Sequence, residues 1–173
     1  MQNGMSATPS TTGCEVIGID HIYVAVSDLA HAEAFYDKVF GVLGFRRKHF
    51  ALAGEPHVQY FNRHFGYVLR PARSSALHDS YGPGMHHLCL RVATAAEVEY
   101  AASRLQLLGI AASTARVYPE YAADYVATFF TDPDGLRLEI TNFRLERRER
   151  HDHWDSLADT TLTTLPPGPE SSA

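Results

Sequence analysis

Apolar and polar positions alternate strictly in two short stretches of the chain. Ile22, Val24 and Val26 alternate with His21, Tyr23 and Ala25, and Leu88, Leu90 and Val92 alternate with His87, Cys89 and Arg91. A period of two predicts a strand with one buried face. Each stretch runs into apolar positions at helical spacing: Ala32, Phe35, Tyr36, Val39, Phe40 and Leu43 after the first, and Val98, Ala101, Ala102, Leu105 and Leu108 after the second. Ser27 is the expected N-cap of the first helix. Gly44 and Gly109 stand where a helix is ended by a left-handed residue. Three shorter strands are expected after each helix, around 45–51, 57–62 and 67–70, then around 111–117, 125–130 and 137–143. The final hairpin turns on "TDPDG", a strong turn signal.

The two stretches are copies of one unit. With His21 laid over His87, Ile22 meets Leu88, Val24 meets Leu90 and Val26 meets Val92, and one gap brings Gly44 over Gly109. A repeat of this length is one supersecondary unit used twice. The expected fold is therefore α+β: two βαβββ modules in tandem, each with a helix on one face of its sheet, at about 17–73 and 84–143 within a single domain spanning 16–143. Residues 1–15 are rich in Ser, Thr and Gly and read as a disordered tail. "RLERRERHDHW" (144–154) reads as a short helix or a surface extension, the start of a charged C-terminal segment (144–173) whose end, 158–173, reads as a second disordered tail.

Composition narrows the class without defining it. At 173 residues with 45% hydrophobic content, roughly two-thirds of the unfolded surface can be buried, enough for a sizeable core. A net charge of −5 leaves no electrostatic footprint for nucleic acid. Cys14 and Cys89 lie in unrelated contexts, so no structural disulfide is expected and a reducing compartment fits. The N-terminus lacks the basic and apolar regions of a signal peptide, and no apolar run approaches the length of a membrane span. A soluble cytoplasmic protein is the expectation.

The candidate chemistry comes from the alternation. With Leu88, Leu90 and Val92 under the helix, His87 rather than His86 faces the open side of its sheet, and His21 is its counterpart in the first module. His86 lies at the strand's edge. In "DPDGLRLEIT", Leu138 and Ile140 face the helix, so Glu139 joins the histidines' side. A carboxylate midway along an apolar strand is costly unless paired or metal-bound. Two imidazoles and one carboxylate suit Fe(II), Mn(II), Ni(II) or Zn(II), with open positions for water or substrate. The plainer reading of each histidine alone is a hydrogen-bonded or surface group. Among Tyr118, Glu120, Tyr121, Asp124 and Tyr125, Tyr125 is the first choice for a hydrogen-bond donor or general acid, against the alternative of rim aromatics packing a loop. Arg91 or Arg137 would hold a substrate carboxylate or form an internal ion pair. Cys89 reads as a small core residue, "HDHW" (151–154) as a surface segment rather than a metal clip, and His31, His49, His57, His64 and His78 as solvated.

"DHIYVAVSDL", "HHLCLRV" and above all "FFTDPDGLRLEIT" resemble the vicinal oxygen chelate superfamily, which includes glyoxalase I, extradiol dioxygenases, fosfomycin-resistance proteins, methylmalonyl-CoA epimerase and bleomycin-resistance proteins. The resemblance covers about residues 17–143. It implies paired βαβββ modules forming a cup around one divalent metal, ligands at His21, His87 and Glu139, and a small substrate that chelates the metal through adjacent oxygens. It also implies a homodimer, since related proteins often complete their cups between chains. Glyoxalase I-like proteins add a glutamate at the end of the first module, but positions 69–73 read Leu69, Arg70, Pro71, Ala72 and Arg73, without a carboxylate. Extradiol dioxygenases match in their two histidines, one glutamate and the ending Asp132, Pro133, Gly135, Glu139. Their tyrosine falls on Phe129, and no histidine lies between His87 and Glu139. Bleomycin-binding relatives lack the triad. The leading expectation is a dioxygenase-like enzyme. The alternatives are a non-redox lyase, isomerase or thiol transferase with a Lewis-acid metal, and a ligand-sequestering protein.

Overall fold

The computed structural model describes residues 16–74 and 76–156. The tails expected at 1–15 and 158–173, and Cys14, lie outside the described residues. The described chain forms two compact units that divide after His78.

The first unit contains β1 (His21–Val26), α1 (Leu29–Val42), β2 (Arg46–Leu52), β3 (Glu55–Phe61) and β4 (Gly66–Pro71). Its sheet has the order β1-β4-β3-β2, with β1 and β4 parallel and the other pairs antiparallel. The helix is capped by Asp28, not Ser27. The Asp28 carboxylate accepts from the His31 amide at 3.0 Å, and an ionised acceptor is the better partner for a helix N-terminus. At the other end Gly44 has φ +73°, and the Phe45 amide returns to the Phe40 carbonyl at 2.9 Å, as a left-handed cap requires. The core between helix and sheet is aromatic: Tyr36, Phe40, Tyr60 and Tyr67 are buried, with Phe40 and Tyr60 centroids 4.9 Å apart and the Tyr36 and Tyr67 hydroxyls bonded at 2.9 Å. The phenol of Tyr60 donates to Asp37 Oδ1 and the Glu33 carbonyl; burial and then Asp37 push its pKa up. The edge strand β2 exposes Arg46, Arg47, Lys48 and His49, a charge pattern that discourages edge-to-edge pairing.

The second unit repeats the plan: β5 (His87–Val92), α2 (Ala95–Leu107), β6 (Arg116–Val117), β7 (Val126–Thr131) and β8 (Arg137–Asn142), in the order β5-β8-β7-β6 with β5 and β8 parallel. Two βαβββ modules in an α+β architecture are therefore observed. In α2 a capping box joins Thr94 and Glu97, and Val98, Ala101, Ala102 and Leu105 are buried where the helix packs on β7 and β8. The strand expected over 111–117 shrinks to two residues. Ser113 is the cause. Its amide donates to the Phe129 carbonyl, but its hydroxyl, not a backbone carbonyl, accepts from the Phe129 amide, and its own carbonyl is taken by Thr128 Oγ1. Side chains thus replace the ladder there. The charged segment after β8 forms a helix, α3 (Leu145–Asp152), and a short 3-10 turn over Trp154–Ser156. No helix among the described residues is long and apolar enough to cross a membrane.

The start of β7 is tied to the end of β8 by one side chain. Asn142, buried, accepts from the Val126 amide at 2.9 Å and donates to the Asp124 carbonyl at 3.0 Å. Asn142→Ala strands a buried amide donor, so a loss of about 2 kcal/mol is expected. It is read as a lower urea midpoint with an unchanged slope in equilibrium unfolding.

Candidate metal centre

The site is built on β8. The "TDPDG" turn that precedes it is held by Asp132, whose Oδ1 accepts from the Asp134 amide at 2.9 Å and the Leu136 amide at 2.8 Å, while Gly135 takes φ +93°. The turn sets the register in which Leu138 and Ile140 pack into the core and Glu139 points to the other face. Glu139 is only 3% exposed, and both carboxylate oxygens are engaged. Oε1 accepts from the Tyr125 hydroxyl at 2.5 Å, and Oε2 lies 3.3 Å from His87 Nε2. Parallel pairing sets Cys89 beside Glu139, and antiparallel pairing sets Phe129 on its other side.

The structure thus brings His87 and Glu139 together as β-strand alternation predicts, with Tyr125 beside Glu139, and with His87, Cys89 and Arg91 exposed and Leu90 buried on the opposite face. Tyr125 is engaged within the protein. Its hydroxyl is spent on Glu139, and its ring lies under the Arg144 guanidinium at 4.8 Å. Burial and then the bond to Glu139 push its pKa up, which keeps the phenol protonated and makes it a poor acid. Tyr125 orients the carboxylate. Cys89 is exposed as a residue, but its thiol sits against Glu139 and Tyr125 and is pushed up to about 12, first by desolvation there and then by the Glu139 charge.

In the first unit His21, Tyr23 and Ala25 are exposed and Val26 is fully buried. The Nδ1 of His21 bonds Asp20 Oδ2 at 2.6 Å. Since a carboxylate only accepts, Nδ1 carries a proton, and the neutral form of this ring has its lone pair on Nε2, as a metal ligand needs. Opposite His21 lies Gly66. A Cβ there would come within 2.8 Å of Gln59 Nε2, so this amide fills the space beside His21. The repeat also locates the missing fourth carboxylate. Cys89 pairs with Glu139 and its counterpart Tyr23 pairs with Val68, so the first-module equivalent of Glu139 is a buried valine.

His57 is a correction. It is not solvated but 2% exposed on β3, with Nδ1 on the Glu55 carbonyl at 2.9 Å and its ring stacked on Phe50. The signal was its place in the strand pattern, between Pro56 and Val58. His49 pairs with Glu33 at 2.7 Å. Neither candidate arginine forms an ion pair among the described residues: Arg91 lies 4.1 Å over Phe143, and Arg137 donates to the Tyr81 hydroxyl at 2.8 Å. His151 is exposed beside Asp152.

In the second unit, a buried carboxylate facing an imidazole Nε2 is donor chemistry that fits a divalent cation. Among the described residues, no group of three or more His, Cys, Asp or Glu side chains is already gathered in a metal-holding arrangement.

Comparison with known proteins agrees with the fold described above. The profile of the Glyoxalase/Bleomycin resistance protein/Dioxygenase superfamily matches residues 18–140, and the chain belongs to that superfamily. A glyoxylase/bleomycin resistance protein/dioxygenase domain from Frankia sp. EAN1pec is similar at 20% identity, over 75% of this chain and 100% of that one, with a TM-score of 0.62. Lactoylglutathione lyase from Agrobacterium tumefaciens is similar at 24% identity, over 78% and 96% of the two chains, with a TM-score of 0.52. A variant of the fosfomycin resistance protein FosX from Listeria monocytogenes, solved with Mn(II) and a dihydroxypropylphosphonic acid, is similar at 18% identity, over 78% and 98%, with a TM-score of 0.57. These likenesses establish the fold. Comparison with curated proteins gives no match.

The Cys89 environment has a chemical consequence. Only the thiolate is alkylated, and a shift from 9.0 to about 12 lowers its population at pH 8 by about a thousandfold. In a Cys14→Ser background, iodoacetamide should modify Cys89 that much more slowly than an unperturbed thiol, and Glu139→Gln should speed the reaction. Mass spectrometry of timed samples reads both rates, and rapid labelling at pH 8 would contradict the environment described.

Proposed function

We propose that this protein is a divalent-metal-dependent enzyme with His21, His87 and Glu139 as its ligands and a small substrate that chelates through vicinal oxygens. The observation that carries the proposal is Glu139: a carboxylate buried in mid-strand, with one oxygen fixed by Tyr125 and the other turned to His87. Such a group is costly without a cation or a strong donor set. When bound, the metal would supply Lewis acidity and, if iron, a site for O₂. Asp20 holds His21 Nδ1, Tyr125 holds the Glu139 carboxylate in place, and Cys89, protonated, adds no further charge.

Within this class the ligand set favours a dioxygenase-like enzyme. Val68 at the fourth carboxylate position leaves coordination sites for both substrate and O₂. A non-redox lyase, isomerase or thiol transferase is the second reading, favoured by Tyr125, whose phenol is committed to Glu139 and so is not free for the proton transfers of ring cleavage. The protein is expected to act in the cytoplasm as a homodimer.

Metal content after anaerobic purification tests the proposal. About one metal per chain is expected in the wild type, with loss of most of it in Glu139→Ala. Iron together with O₂ uptake on catechols supports the dioxygenase reading, and nickel, zinc or manganese without O₂ uptake supports the second. A wild type that neither carries nor takes up any of these ions contradicts the enzyme reading.

A further inference from the structure

The two candidate histidine ligands are each preceded by a residue that engages their Nδ1. In the first module Asp20 Oδ2 lies 2.6 Å from His21 Nδ1. In the second, His86 Nδ1 lies 2.7 Å from His87 Nδ1. Two ring nitrogens at that distance share one proton: one donates and the other accepts. The rest of the chain of contacts decides which. Arg137 Nη1, which can only donate, lies 3.5 Å from His86 Nε2, so a neutral His86 carries its proton on Nδ1 and donates it to His87 Nδ1, and a neutral His87 then keeps its own proton on Nε2. Arg137 is itself anchored on the Tyr81 hydroxyl.

We infer that His86 is the positioning residue for His87 and does in the second module what Asp20 does in the first. This rests on the reading of His87 as a metal ligand. An ion held by His87 Nε2 would need a lone pair there, so the ring's single proton would sit on Nδ1 and be donated to His86 Nδ1. His86 in turn carries its proton on Nε2 and loses Arg137 as a donor. No proton leaves the pair; the two tautomers invert together. Asp20 accepts in either state, whereas His86 accepts only after inversion.

Zinc titration of the whole protein tests this by two readouts. In ¹⁵N-resolved histidine spectra, His86 should pass from the Nδ1–H to the Nε2–H tautomer as zinc binds. Competition with a chelating dye should show His86→Leu binding zinc about 10–100-fold more weakly than wild type, as loss of an outer-shell partner does, with His86→Asp restoring affinity by installing the first module's acceptor. Circular dichroism checks that both variants are folded. An unchanged His86 tautomer on saturation, or equal zinc affinity in wild type and His86→Leu, overturns the inference while leaving the metal site intact. Failure of the wild type to bind zinc overturns both.

Discussion

Most of the second unit's design follows from seating one carboxylate inside a sheet. Glu139 stands between Leu138 and Ile140, which are in the core, and is itself nearly inaccessible. Its neighbours answer that cost. The Tyr125 phenol donates to one oxygen and the His87 imidazole faces the other. The turn built on Asp132 fixes the register that puts Glu139 rather than a leucine on this face, and a one-residue slip would exchange the two. Asn142 and Asp124 then fix the start of β7, and so the position of Tyr125, by bonds from side chain to backbone.

The repeat shows how two copies of one fold diverge in chemistry. Both modules place a histidine at the start of the strand that runs parallel to the module's last strand. Both engage that histidine's Nδ1 through the preceding residue. On the last strand they part: Glu139 in the second module answers to Val68 in the first. The first module spends its polar side chains elsewhere, on the ion pairs of Arg47 with Glu33 and Asp37 and of Arg70 with Glu55. The asymmetry leaves one carboxylate for the candidate centre.

The period-two stretches made the faces of β1, β5 and β8 legible in the sequence, because a half-buried strand writes its alternation directly into residue type. Gly44 and Gly109 marked the helix ends for a similar reason, since few other residues take positive φ. What stayed hidden depends on contacts between distant positions. Nothing local distinguishes a Tyr125 that meets substrate from one that holds Glu139. His57 sits in a sequence of mixed polarity and is buried only because Phe50 and Tyr23 close over it. The loss of most of β6 follows from a Ser113 hydroxyl competing with the backbone ladder, which a propensity scale does not register.

The central claim is that His21, His87 and Glu139 serve one ion. Substoichiometric Mn(II), added while the ring signals of all histidines are followed by NMR, tests it most directly. The account predicts that the His21 and His87 signals broaden first and together, and that both are spared in Glu139→Gln. Broadening of His87 without His21, or of His151 and His153 before either, would contradict it.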